Sequence, residues 1–253
     1  MQASIWRWRP LVALGLAAFF AFAVWTLPAS LALSRLRSIG VETAGVSGTI
    51  WRGEAQVLLV RGVRVGRVQW TLHAAPLLIG RLAADLKVAR IDGFLETALA
   101  ASPSGRLRFE NLSGSLPLSA LPPQMLRGGW SGTLNLKFDE LVLEEGWPTS
   151  ATGTLQALDI TGPVESPANL GSYKVSFAGD DDKTDALTGQ IVDMGGPLQV
   201  SGALHLKAQD RSYLIEGYVA SRADASRALQ NALQVLGPPD EQGRRQFGVE
   251  GTL

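Results

Sequence analysis

Residues 130–139 read Trp-Ser-Gly-Thr-Leu-Asn-Leu-Lys-Phe-Asp. In an extended chain Trp130, Leu134, Leu136 and Phe138 fall on one side, and Ser131, Thr133, Asn135, Lys137 and Asp139 on the other. A period of two marks a strand with one face buried and one face wet. Antiparallel sheets tolerate that arrangement, whereas parallel sheets, covered on both faces, read as continuous apolar runs.

The same pattern spreads outward through the chain. Strand signals begin at Val41. Between Thr49 and Leu59, Trp51, Ala55, Val57 and Leu59 oppose Arg52, Glu54 and Gln56, with Gly53 placed for a bulge or a close neighbour. Val63 and Val65, then Val68, Trp70 and Leu72, repeat the alternation, but its phase flips at Gly66. A one-residue flip needs an extra residue absorbed in the ladder, so Gly66 is a candidate bulge. Further strands are expected around Leu82–Val88, Leu107–Phe109, Tyr173–Phe177, Leu198–Leu206 and Arg245–Leu253. Several open on a small polar residue and glycine, as at Ser47-Gly48, Ser131-Gly132, Thr152-Gly153 and Ser201-Gly202, without the strict period of a solenoid. The tryptophans Trp51, Trp70 and Trp130 stand at inward positions, where core packing is the expected role.

Three segments leave the pattern. Ala75–Gly80 (APLLIG) is short and proline-led, which predicts a helical turn. Leu118–Arg127 (LSALPPQMLR) is a connection with room for another. Ala223–Leu236 carries Ala225, Leu229, Ala232, Leu233 and Leu236 at three- and four-residue spacing, the stripe of an amphipathic helix. Ser221 or Asp224 is placed to cap its start and Gly237-Pro238-Pro239 to end it.

Ahead of the strands, residues 11–27 (LVALGLAAFFAFAVWTL) hold no charge and are flanked by arginines. A bilayer core of about 30 Å needs roughly 17–25 apolar helical residues, so this run is at the short end of a span. Pro10 suits the first helical position, Trp6, Trp8 and Trp25 suit the two interfaces, and Pro28 marks the exit. The competing reading is a cleaved signal peptide with Arg7 and Arg9 as its basic region and Ala21-Phe22-Ala23 as the cleavage site. Against it, Val24-Trp25 continues the apolar run past the cut. The expected organisation is a cytoplasmic tail at 1–10, a transmembrane helix at 11–27, and a juxtamembrane linker or short amphipathic helix at 28–40. An extracytoplasmic β-rich domain then fills 41–253. The fold class is mainly β: one transmembrane helix followed by an antiparallel curved sheet, sandwich or partly open barrel, with one short C-terminal helix before the last strand.

The chemistry is sparse. Lys and Arg balance Asp and Glu at 23 each, which leaves no basic stripe for nucleic acid. Cysteine is absent. His73 and His205 both stand on polar strand faces, with no HExxH-type spacing to make them ligands. Asp180, Asp181, Asp182 and Asp185 form the densest acidic group, but without the calcium-loop pattern, and a hairpin turn is the simpler reading. No GxSxG elbow precedes a helix. No catalytic, cofactor-binding or metal residue is singled out, and no enzymatic activity is expected.

Six segments, taken in order, carry a family likeness: Trp25–Ser30 (WTLPAS), Val46–Ala55 (VSGTIWRGEA), Pro76–Leu82 (PLLIGRL), Glu145–Pro148 (EGWP), Ala232–Asp240 (ALQVLGPPD) and Gly243–Arg245 (GRR). The ordered set, rather than any one motif, resembles the type II secretion system protein N family, and it covers nearly the whole chain. The resemblance implies a bitopic inner-membrane protein of a Gram-negative secretion machine with its bulk in the periplasm. It implies an accessory, non-catalytic scaffold or adaptor, with other secretion components (the inner-membrane platform or the secretin) as partners and membrane lipid around the N-terminal helix. A fainter likeness, carried by the Ser-Gly-Thr-led strands, is to envelope proteins that move lipid along an open β-groove. That keeps a second expectation in play, a lipid- or apolar-ligand-binding groove.

Overall fold

The computed structural model describes residues 9–35, 40–60, 62–121, 129–162, 168–179 and 186–252. Two helices come first, α1 (Arg9–Trp25) and α2 (Ala29–Arg35). Three strands follow, β1 (Val41–Gly48), β2 (Arg52–Val60) and β3 (Val63–His73), and then a single helical turn, α3 (Ala74–Leu77). The chain continues through β4 (Leu82–Ala89), β5 (Phe94–Ala101), β6 (Arg106–Pro117), β7 (Ser131–Glu144), β8 (Trp147–Thr161), β9 (Asn169–Ala178) and β10 (Ala186–Asp193). It finishes with β11 (Leu198–Lys207), β12 (Ser212–Ser221), α4 (Arg227–Leu233) and β13 (Arg245–Thr252).

All thirteen strands belong to one sheet, in chain order from β1 to β13, with every neighbouring pair antiparallel. β1 and β13 are the two edges and do not meet, so the sheet is open. Of the expected architectures, the curved sheet is the one formed. Its bend is sharpest beyond β7. There β8 comes into contact with β10 and β11, which it does not pair with, and Arg211 in the β11–β12 turn reaches Glu145 in the β7–β8 turn at 2.6 Å.

The bend is built from alternating bulk. In one row across the sheet Leu112 faces Phe138, Phe138 faces Gly153, Gly153 faces Phe177, and Phe177 faces Gly189. With no side chain at Gly153, the rings of Phe138 and Phe177 approach to 5.9 Å over β8. Leu112, Phe138, Ala151, Phe177 and Leu187 are buried together and form the central core. Each large member contributes about 1.5–3 kcal/mol through its buried apolar area, so this row dominates cohesion in the middle of the sheet.

The expected bulge is present. Register slips on both sides of Leu58, which pairs with Gly66, and Gly66 has φ +116, a conformation that side-chain-bearing residues rarely adopt. The two slips are opposite in sense, and the apolar face is restored beyond them.

The C-terminal helix is shorter than its apolar stripe predicts. It runs from Arg227 to Leu233, followed by a tighter 3-10 turn at Gln234–Leu236. Its cap is Ser226, whose hydroxyl accepts from the Leu229 N–H at 3.2 Å, rather than Ser221 or Asp224. The reason lies in Arg222. Its guanidinium is committed to Asp193 and to the carbonyls of Gly196 and Leu198, and its own carbonyl closes a turn with Ala225 N–H. Helix can start only after that turn. Leu229 and Leu233 are buried against Leu198 and Val219, whereas Ala232 and Leu236 face solvent.

At the other end α1 stops at Trp25 because Leu27 precedes a proline, and such a residue is driven out of helical geometry. The span expected at 11–27 is thus a helix about 25 Å long at 1.5 Å per residue, and no helix among the described residues is long and apolar enough to cross a membrane. The segment after it is more ordered than a linker: Pro28 bridges Thr49, and α2 lies against β1 with Ala29 buried. The acidic group Asp180–Asp182 with Asp185, most of the Leu118–Arg127 connection, and the tail residues Trp6, Arg7 and Trp8 lie outside the described residues.

A Cβ at Gly153 would sit 2.4 Å from the Lys137 carbonyl and 2.5 Å from the Phe138 Cα. Gly153→Ala is therefore expected to destabilise the sheet by about 1–3 kcal/mol, while Gly248→Ala in β13, where nothing lies within 4 Å, should be close to neutral. Urea midpoints of the two variants check the difference.

Candidate functional site

The strand pattern gives the sheet two chemically distinct faces. The polar face carries cross-strand ion pairs. Lys87 and Glu96 are 3.3 Å apart, Arg106 and Glu144 3.0 Å, and Arg108 and Glu140 3.4 Å. Both histidines belong to it, as their place in the alternation predicts. His73 Nε2 is 3.0 Å from Asp85 on the neighbouring strand. His205 lies between Thr188, at 3.2 Å, and Glu216, at 3.5 Å. Exposed pairs of this kind contribute at most about 1 kcal/mol each, and they blunt the face as a sticky surface. Among the described residues no group of three metal-ligating side chains converges.

The apolar face is covered in three different ways. In the middle, curvature packs it against itself. Over β11–β13, α4 lays Leu229 and Leu233 on Leu198, Val219 and Phe247. Over β2–β5, only α2 is available, and two of its side chains, Ala29 and Leu33, reach the sheet. Between them and the sheet lies a cavity of about 400 Å³ lined by Ile50, Ala55, Leu58, Val68, Trp70, Leu72, Leu82, Ala84, Leu86 and Leu99. Ala55 and Ala84 are small side chains in this lining, and they leave the space open. Its lining offers almost no polar group, so it suits an apolar chain and not a polar metabolite.

The rim beside this cavity is where the helices join the sheet. Trp51, expected inside a strand, instead occupies the β1–β2 turn. Its ring stacks on Trp25 at 5.8 Å, and its Nε1 donates to the Val24 carbonyl at 3.0 Å. Trp70 donates to the Ile50 carbonyl at 3.1 Å, and Ile50 N–H donates to Leu27 at 3.0 Å. These contacts clip the end of α1 to the sheet. Trp51, Trp70 and Trp130 are all half-buried, so they close margins of the apolar face without entering a sealed core. The period-two pattern ran on through the turn and hid the role of Trp51.

At the opposite rim is a half-buried polar cluster that sequence reasoning passed over, because its members are far apart in the chain. Arg222 and Asp193 are paired at 2.6 Å, and Asp193 also accepts from the amides of Gly195 and Val200. Burial alone would raise the Asp193 pKa. The Arg222 guanidinium and the two amides outweigh that and hold the carboxyl below its ordinary range. Burial, with Asp193 nearby, pushes the Tyr173 phenol up to about 12, and its hydroxyl donates to the Leu170 carbonyl. The cluster staples β9, β10 and β12 at the point where α4 begins. Its carboxylate is fully engaged, which makes it a structural device.

Comparison with known proteins adds an independent line. The family model described as Type II secretion system (T2SS), protein N matches residues 39–248. The chain is 28% identical to the type II secretion system protein N of Vibrio cholerae serotype O1, across 90% of this chain and 91% of the relative. It is 25% identical to the protein of the same name from Aeromonas hydrophila, across 96% of this chain and 98% of the relative. No solved structure matches.

Because the folded pKa of Asp193 is depressed, its stabilisation is fully present above the unfolded value of 3.8 and is lost as pH falls through the lower folded value. Asp193→Asn is expected to cost about 1.5–3 kcal/mol at neutral pH, the range for hydrogen bonds to charged groups. The gap to the unmodified protein should narrow in acid. Urea midpoints measured from pH 7 downward check it, and a gap independent of pH would contradict the assignment.

Proposed function

The chain belongs to the type II secretion system protein N family, and from that membership we propose that it is an accessory, non-catalytic component of the secretion system, tethered to the inner membrane by α1 with its sheet in the periplasm as an adaptor. The tether rests on the surface of α1. Leu11, Leu14, Phe19, Phe20 and Phe22 are all well exposed, and an apolar helix with no protein partner is stable only where lipid surrounds it. A helix of about 25 Å can be seated in a core of about 30 Å by local thinning of the bilayer, with Trp25 at the interface.

The adaptor role rests on one observation, the open sheet. Among the described residues neither edge has a strand partner, and β13 is an eight-residue edge that carries glycine at 248 and 251 and leaves Val249 51% exposed. Such an edge offers its unpaired backbone groups to an added strand from another protein. The edge at β1 is less suited, because Gly45 turns to φ +65 within it. The partner strand is assigned to the inner-membrane platform or to the secretin.

A second reading is favoured by the cavity under α2, which has the size and the apolar lining to hold part of a lipid acyl chain. It predicts a lipid that copurifies with the protein and is lost in Ala84→Trp.

Photocrosslinking in intact envelopes separates the readings. A benzoylphenylalanine at Val249 is expected to capture a platform or secretin subunit, and one at Val46 is not. Lipid adducts from positions 58 and 86, with no secretion partner at 249, would replace the adaptor by the groove. A second expectation concerns the tether: replacing residues 1–30 by a cleavable signal peptide should reduce secretion of folded substrates, and full secretion would remove the need for α1.

A further inference from the structure

Antiparallel order divides the connections between two rims. The β1–β2, β3–β4, β5–β6, β7–β8 and β11–β12 turns share the rim at which α1 ends. The β4–β5 and β10–β11 turns, with α4, share the other. On the α1 rim the β5–β6 turn reads Ser-Pro-Ser-Gly, the β7–β8 turn Glu-Gly and the β11–β12 turn Ala-Gln-Asp-Arg, all without a large apolar side chain. The β3–β4 turn differs. Leu78 is 90% and Ile79 70% exposed, with Leu77 beside them. It is the next turn along the rim from the one that holds Trp51 and α1, two strand spacings or about 10 Å away.

Exposed leucine alone is unremarkable on a protein surface. What sets this turn apart is its backbone. The amides of Leu78, Ile79, Gly80 and Arg81 donate to the carbonyls of Ala75, Pro76, Leu77 and Pro76. Pro76 has no amide to satisfy, and the four-residue α3 fixes the shape. A tip with its amide donors already paired leaves only carbonyls for the water of the interfacial layer, which lowers the cost of leaving bulk solvent. Arg81, exposed at its base, is placed to meet lipid phosphate.

We propose that the β3–β4 tip, Leu77–Ile79, dips into the interfacial layer of the same membrane that receives α1. It is then a second contact that fixes the tilt of the sheet relative to the bilayer, with the α1 rim facing the membrane and the α4 rim facing away. This rests on the reading of α1 as the tether.

The chain has no cysteine, so single-cysteine labelling is clean. The full chain carrying Leu78→Cys, or Ile91→Cys as the control, is labelled with an environment-sensitive dye and reconstituted into vesicles of zwitterionic and anionic phospholipid containing a shallow lipid-borne quencher. Ile91 is at least as exposed as Leu78 but belongs to the β4–β5 turn on the far rim. The expected result is blue-shifted emission from position 78 and quenching several-fold stronger than at position 91. If the protein floats with the vesicles while both dyes stay aqueous, the tip contact is wrong and the tether stands. If the protein does not float, the tether fails and the tip contact fails with it.

Discussion

A sheet of thirteen strands laid down in chain order has one apolar face, and that face has to be kept from water along its whole length. Helices supply little cover: α2 and α4 each contribute two turns. The remaining cover comes from bending, and bending is possible only where bulk alternates across the strands. The row Leu112, Phe138, Gly153, Phe177, Gly189 is that alternation. Much of the structure follows from it. Where the row is complete the sheet bends onto itself, where α4 lies above it the face is covered, and where the small Ala55 and Ala84 line the face a cavity remains beneath α2.

Most strands were legible because their physics is local, although β5, β10 and β12 were not singled out. A period of two specifies which side chains go in, and Gly66 betrays a bulge because the phase must slip there. What was not legible depends on residues distant in sequence. The start of α4 is displaced because Arg222 is drawn away by Asp193, and nothing near position 222 announces that. Trp51 keeps the phase of its strand while sitting in a turn, since its partner is Trp25 on a helix. Whether the sheet closes could not be read at all: β1 and β13 have the same kind of pattern whether or not they meet.

The candidate site divides the same way. Inward positions of Val68, Trp70 and Ala84 follow from alternation, but the space between them follows from how far α2 stands above the sheet. The two histidines were placed on the polar face by parity, and the structure adds the carboxylates that face them. The resemblance to the family was legible in short segments scattered over the chain, and the family model over residues 39–248 established it. Several of these mark junctions: Trp25–Ser30 and Val46–Ala55 contain the contacts that clip the helices to the sheet, and Glu145–Pro148 begins at a tight turn.

Strict chain order also has a kinetic side. Each strand finds its partner in the hairpin just made, so loop closure is short at most steps, and short-range contacts form fast. A chain delivered N-terminus first can therefore extend its sheet one strand at a time, as it arrives, without waiting for a distant segment. Until β13 and α4 are added, the growing edge is always the newest strand. The sheet thus carries a direction of assembly written into its topology, starting at the helix-bearing end and finishing at the edge left open.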